Sequence, residues 1–340
     1  MGDGMDGQRE SEANAEASNG HQRVLAVDLG GTNLRAAVVA SDGGLSHRQA
    51  VSTPSEGGPT AVIEQMALLI TDVAAVAALP PSAPVGVTAP GPLNPRTGVV
   101  HFTPNLPDWR DVPLRDLLAA ASKRPVAIGN DGNCAALGEA RFGVGKGFDD
   151  LVYLALGTGV GGGVISRGQL IDGAHGLGAE LGHVVVALDG PRCSCGAIGC
   201  LEAFVGGWAI AREGRLVAST ADGAAILNEA GDQPITAGVV AAAAREGDPA
   251  ATAILLRAGH ALGAAMGAFV NIFNPALVVV GGGVAALGEL LLQPARAAFP
   301  SHCFPASREQ VEIVLSSLGD DTGLYGAAAI ALDLHEATGR

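Results

Sequence analysis

The chain has 340 residues, a formal net charge of −14, fifty glycines and five cysteines. An acidic surface of this kind repels nucleic-acid phosphates and anionic membranes, so neither is expected as a partner. The length suits two domains, and fifty glycines is roughly twice the usual share of about 7%.

The first 22 residues (MGDGMDGQRESEANAEASNGHQ) contain no apolar run. They read as a disordered acidic tail without a secretory signal. Ordered structure is expected from Arg23. Val24–Asp28 is a short apolar run ending in a carboxylate, followed by Gly30-Gly31-Thr32 and a second run, Leu34–Ala40. That is strand, tight glycine turn, strand. Ala61–Ala78 has helical spacing, stopped by Pro80, Pro81 and Pro84. Val85–Ala89 and Pro125–Gly129 read as strands, the latter leading through Asn130-Asp131 into an Ala-rich helix that ends near Phe142.

The second half repeats the opening theme. In LVYLALGTGVGGGVI (151–165), Gly157-Thr158-Gly159 falls on Gly30-Gly31-Thr32, and Ala155 falls where Asp28 stands. Two related halves with unequal jobs are implied. Ala258 to Gly288 carries no Asp, Glu, Lys or Arg. Asn271, Asn274, Pro275 and three glycines interrupt it, so it reads as a buried helix, a turn and a buried strand rather than a membrane span. Specifically, Ala250–Phe273 is helix, Ala276–Val280 is strand, and Gly281-Gly282-Gly283 follows. Gly323–Leu334 is a last Ala-rich helix. Alternating strands and helices of this kind give an α/β protein of two lobes.

Three glycine turns thus follow three apolar strands, at Gly30, Gly157 and Gly281. Glycine lets backbone N–H groups face phosphate oxygens with no side chain between them. Any one turn alone is more often a hairpin. Together, with Asp28 entering the first and Thr158 inside the second, they favour a nucleotide held between two lobes. Neither the G-x-x-x-x-G-K-[ST] loop nor a dinucleotide fingerprint is present. Asp28 can position a magnesium ion, directly or through water; as an ordinary turn residue it would cap its own loop.

His183, Cys193, Cys195 and Cys200 follow the pattern H-x9-C-x-C-x4-C. One imidazole and three thiolates form the closed tetrahedral set that structural zinc prefers. An odd cysteine count with three clustered in eight residues favours a metal site in a reducing cytoplasm over a disulfide framework.

DLGGTNLR (28–35), LGTGVGGGVI (156–165), GAHGLGAELGH (173–183) and CSCGAIGCLE (193–202) resemble the signature of the ROK family of bacterial sugar kinases and sugar-responsive repressors. The match runs from about Val24 to Ala331. PGPLNPRTG (90–98) and TPNLPDW (103–109) resemble its ATP-dependent, zinc-containing glucokinase branch in particular. The resemblance implies the two-lobed α/β fold of actin and hexokinase (ribonuclease H-like), with a cleft between the lobes. The expected lobes are 23–129 plus 322–340, and 130–321 with the zinc loop.

It also implies roles. Asp131 of the Asn130-Asp131 pair matches the family's general base, a role suited to a carboxylate facing a poorly nucleophilic sugar hydroxyl; alone it reads equally as a helix N-cap. Asn105, Asn130, Glu180, His183 and Glu202 match sugar-binding positions. Carboxylates, amides and an imidazole are the partners that distinguish hydroxyl orientations. His183 is expected to serve both zinc and sugar. Gly157, Gly159, Gly161 and Gly162 match the phosphate motif, and Gly281–Gly283 the nucleotide segment.

The implied reaction is transfer from Mg·ATP to the C6 hydroxyl of a hexose, glucose first, in a cytoplasmic homodimer or homotetramer. Kinases for mannose, fructose, allose or an N-acetylhexosamine are the main competitors. A sugar-sensing repressor is disfavoured, because 22 polar residues ahead of the first strand are too few to fold alone. Polyphosphate as donor would require a basic groove, and no Lys/Arg run supplies one.

Overall fold

The computed structural model describes residues 21–103 and 105–338. The expectation of a disordered tail therefore falls, for residues 1–20, outside the described residues, as does the end of the predicted smaller lobe at 339–340.

Two five-stranded sheets share one strand order. The first runs β3 (Leu45–Ser52), β2 (Asn33–Ala40), β1 (Arg23–Leu29), β4 (Val85–Ala89), β8 (Val126–Asn130). The second runs β11 (Gln169–Leu170), β10 (Val160–Ser166), β9 (Leu151–Leu156), β12 (Leu277–Gly281), β13 (Glu312–Leu315). In each, the first strand pairs antiparallel with the second and parallel with the fourth. Asp28 lies opposite Thr88, and Ala155 lies opposite Gly281, each in the penultimate position of its strand. The echo read in the sequence is thus an architectural repeat.

β1 and β9 are apolar on both faces because each is covered on both sides. Alternate side chains of a strand point to opposite faces. Leu25, Val27 and Leu29 enter one core with the Gly58–Val76 helix, while Val24 and Ala26 meet Leu324, Ala327 and Ala328 of the Thr322–Thr338 helix. Likewise Val152, Leu154 and Leu156 face the Pro249–Phe273 helix, and Leu151 and Tyr153 face the Asp131–Phe142 helix. The last helix of the chain therefore returns to the first sheet.

Gly58–Val76 and Pro249–Phe273 are long and apolar enough to cross a membrane by length and composition. Both are instead core helices, each packing a buried stripe against a sheet. The second is capped by Asp248, which accepts from the Ala251 N–H at 2.6 Å, and ends at Asn274 in the left-handed region. The helix, turn and strand expected across 258–288 are present. The sequence reading missed the small sheet of β5 (Leu93–Asn94), β6 (Val99–Phe102) and β7 (Arg110–Val112). It also missed the helices between Glu202 and Arg245.

Candidate active site

A cleft of about 920 Å³ opens between the two sheets. Its walls come from strand ends and from the turns that follow them, the usual ligand position in open α/β sheets. A smaller hollow of about 600 Å³ on the Phe102–Arg110 loop holds no glycine turn, and its one carboxylate is Asp108. The larger space gathers Asp28, Asp131, Glu180, His183 and Glu202 with the 157–159 glycine turn.

Asp131 begins the Asp131–Phe142 helix. The N-cap of that helix is Asn130, whose side-chain oxygen accepts from the N–H groups of Gly132 (3.0 Å) and Asn133 (3.3 Å). Capping by Asn130 frees most of Asp131. Its Oδ1 accepts from Gly132 N–H at 2.8 Å. The side chain is exposed to the cleft. The cleft walls displace part of the water around it, which raises its pKa to about 6, and the negative charges of Asp28 and Glu180 add to the rise. A carboxylate that titrates near neutrality is suited to accept a proton in catalysis.

What aims this helix at the cleft is a glycine crossing. A β-carbon on Gly132 would lie 2.6 Å from both the N and the O of Gly162 in β10. Gly132 and Gly163 thus serve helix–strand approach, since a β-carbon on Gly163 would meet Ala136 Cβ at 2.7 Å. Gly161 and Gly162 also line the cleft, together with Gly157, Thr158 and Gly159. The glycine loop is fixed from behind: the carbonyls of Gly157 and Thr158 accept from the N–H groups of Gly207 and Trp208, at the start of the Gly207–Ala218 helix.

Asp28 lines the cleft, but its carboxylate is already engaged. Oδ2 accepts from Arg35 Nη2 at 2.5 Å and Oδ1 accepts from Thr88 Oγ1 at 2.9 Å. Arg35 also donates to the Asp320 carbonyl at 2.7 Å. A β-carbon at Gly323 would meet the Asp28 carboxylate at 2.6 Å, so glycine is needed there. Sequence reasoning missed Arg35, Thr88, Asp320 and Gly323. The one signal available for Arg35 was its place at the end of DLGGTNLR.

Asn105, Asn130, Glu180, His183 and Glu202 all border the same cleft. Burial raises the Glu180 pKa above the usual carboxylate range, and nearby His183 partly offsets this. Glu202 is buried and acts as a clamp. Its Oε1 accepts from Ser194 Oγ (2.5 Å) and Trp208 Nε1 (3.3 Å), and its Oε2 from Val160 N–H (3.1 Å). It therefore ties the cysteine loop to the glycine loop.

Gly30, Gly31, Thr32, Gly281 and Gly283 do not border the cleft. Gly31 instead abuts the Asn105 segment, where a β-carbon would meet Asn105 Cβ at 2.8 Å. Gly30 and Thr32 bond to Thr53 through their carbonyls. Gly281 is buried within β12 against Tyr153, and of its triplet only Gly282, with φ +89°, faces the cleft.

The ligand atoms of His183, Cys193, Cys195 and Cys200 lie within 4.8 Å of one another. Cys193 Sγ is 3.7 Å from His183 Nδ1, and the Sγ atoms of Cys195 and Cys200 are 3.8 Å apart. Tetrahedral zinc with bonds of about 2.3 Å to sulfur requires S···S separations of about 3.8 Å. The donor set fits that ion in chemistry and in spacing. The imidazole meets the cluster through Nδ1, leaving Nε2 as its other polar atom.

Paired sheets of one topology, with a cleft between them, define the two-lobed α/β fold of the actin and hexokinase type. The ROK family model matches residues 24–334, and the chain belongs to the ROK family. It is 40% identical over 309 residues to the glucokinase of Thermotoga maritima, covering 91% of this chain and 96% of that one. Among solved structures, it is similar to a ROK hexokinase from Thermus thermophilus (33% identity, TM-score 0.78, 93% and 100% of the two chains covered). It is also similar to a ROK family glucokinase from Streptomyces griseus in complex with glucose and AMPPNP (34%, 0.78, 92% and 99%).

Proposed function

We propose that this protein transfers the γ-phosphoryl group of ATP to the C6 hydroxyl of glucose, forming glucose 6-phosphate and ADP. The observation that carries this reading is the placement of the Asp131 carboxylate, exposed in a cleft that the glycine loop and the Glu180–His183 segment also line. Similarity to glucokinases over nine-tenths of the chain supports the same assignment.

Asp131 takes the hydroxyl proton as the C6 oxygen bonds to the γ-phosphorus and the bond to the leaving ADP oxygen breaks. Asn105, Asn130, Glu180, His183 Nε2 and Glu202 hold the remaining hydroxyls. Glu202 retains acceptor capacity at Oε2, since a carboxylate has about four lone-pair sites. Gly157, Thr158, Gly159 and Gly282 face the phosphates. Gly30, Gly31, Thr32, Gly281 and Gly283 shape these turns from behind.

Magnesium, when bound, neutralises charge on the phosphates; Asp28 would hold it through water, as both its oxygens have protein donors. Zinc would be held by His183, Cys193, Cys195 and Cys200, and it would brace the sugar loop rather than take part in the chemistry. The lobes are 23–129 plus 322–340 and 130–321, and their closure over the sugar excludes water as a competing acceptor. The enzyme works in the cytoplasm as a homodimer or homotetramer, an assembly that light scattering measures.

A coupled assay across glucose, mannose, fructose, allose and N-acetylhexosamines, run with ATP and then with polyphosphate, tests the reading. Glucose with ATP is expected to give the highest kcat/KM. Preference for an N-acetylhexosamine overturns the substrate assignment, and turnover of no hexose overturns the activity.

A further inference from the structure

A cross-lobe contact at the sugar end of the cleft has no part in the chemistry described so far. The turn between β5 and β6 is tightly built. Asn94 Oδ1 accepts from the N–H of Arg96 at 3.0 Å, and Asn94 O accepts from Gly98 N–H at 2.9 Å. Arg115 Nη1 donates to the Arg96 carbonyl at 2.9 Å. The backbone of Arg96 is thereby fixed while its side chain reaches across to the segment after β11.

There the guanidinium meets three residues in a row. Nη2 donates to both carboxylate oxygens of Asp172 and to the Gly173 carbonyl, each at 3.0 Å, and Nη1 donates to the Ala174 carbonyl at 2.9 Å. This segment is a closed loop. The N–H of Gly178 donates to the Asp172 carbonyl at 2.9 Å, and Gly173 and Gly176 both have positive φ. The two sides also touch at Gly176, where a β-carbon would meet Pro95 Cδ at 2.4 Å. Only Ala179 separates the closed loop from Glu180, with His183 three residues further on.

We infer that Arg96 is a positioning residue for the sugar site: it anchors the 172–178 loop to the opposite lobe and so sets where Glu180 and His183 stand. This assignment rests on the hexose kinase reading. A planar guanidinium satisfies one carboxylate and two carbonyls at once, which an ammonium, as a point charge, does not reproduce. An isolated exposed ion pair contributes little. Here the pair is reinforced by the two carbonyl bonds and by a backbone held from behind, so the side chain loses little further freedom on docking.

The test uses Arg96→Ala, Arg96→Lys, Asp172→Ala and the Arg96→Ala/Asp172→Ala double variant of the full chain. Arg96→Ala is expected to raise the glucose KM by about tenfold or more, with the ATP KM and kcat within about twofold, because the loss is one of sugar-loop placement. Arg96→Lys falls between. The double variant is no worse than Arg96→Ala alone, as both changes break one network. Added salt raises the glucose KM of the wild type and leaves that of Arg96→Ala flat. Deuterium exchange across 172–183, measured without substrates, rises in Arg96→Ala.

An unchanged glucose KM in Arg96→Ala, or an equal rise in the KM for ATP, overturns the assignment. Should the wild type phosphorylate no hexose, the kinase reading fails on that result by itself. Exchange across 172–183 then decides whether Arg96 holds the loop, and unchanged exchange overturns it.

Discussion

Gly132 and Gly162 meet backbone to backbone, so close that a β-carbon on Gly132 would stand 2.6 Å from two Gly162 backbone atoms. Gly132 follows Asp131 directly, and Gly162 sits in the strand that leaves the glycine loop. The contact therefore sets the distance between the proposed base and the proposed phosphate site.

Gly132→Ala tests that relationship. Alanine gains roughly 1 kcal/mol over glycine inside a helix on propensity alone. Here the added methyl meets backbone, which cannot rotate away, and overpacking of this kind costs about 1–3 kcal/mol. The variant should show a lower urea midpoint and a lower kcat. A midpoint equal to or above wild type would remove the argument.

Asp131→Asn should lower kcat by about 10²–10⁴, since the amide cannot accept the proton. In the wild type, kcat should fall as pH drops through about 6, where Asp131 becomes protonated. A flat profile between pH 5 and 8 would show that another group limits the reaction.

The same residue has a signed effect on stability. Its pKa is raised from 3.8 to about 6 by folding, so the native state binds its proton more tightly than the unfolded chain. That contribution is fully present below pH 3.8 and is lost as pH rises through about 6. Asp131→Asn, which carries no charge, should therefore gain in Tm over wild type above pH 6, and the gain should vanish near pH 4. A wild type more stable than the variant at pH 7.5 contradicts this.

Glu202→Gln replaces acceptor oxygens with an amide that cannot accept from Ser194, Trp208 and Val160 together. Loss of a buried charge-assisted bond costs about 1–3 kcal/mol. Because Glu202 joins the cysteine loop to the glycine loop, the KM values for both glucose and ATP should rise. A change confined to glucose would reduce Glu202 to a sugar ligand alone.

Cys195→Ser should release zinc, measured by elemental analysis, and raise the glucose KM while sparing the KM for ATP at first order. Chelation of the wild type should do the same. Zinc content at one per chain in the variant would refute the cluster as its site.

Much of this site was legible because its signals are local. The Cys/His donors of the candidate metal site lie within eighteen residues, so spacing alone brought His183 and three cysteines together. The glycine repeats stood in register with two apolar strands, and Asn130-Asp131 followed a strand end. The burial of both faces of β1 and β9 was likewise written in their unbroken apolar runs.

What remained hidden depends on which surfaces meet. Asn130 rather than Asp131 caps the helix, its backbone extended and its side-chain oxygen accepting from the Gly132 and Asn133 N–H groups. Spacing assigned the Gly30 turn and the Gly281 triplet to phosphate, yet in the fold most of those glycines serve close packing. The partners of Asp28 lie 7 and 60 residues away, and the Arg96 fork spans 76–78. By itself the sequence determined most of the strands, the paired halves and a Cys/His set at metal-ligand spacing, because periodicity and spacing act over a few residues; the proposed base, Asp131, was singled out by the family resemblance. Only the tertiary structure decided which glycines face the cleft, that Glu202 clamps two loops, and that Arg35 already engages Asp28. Those outcomes follow from steric approach and charge pairing between segments that no local pattern connects.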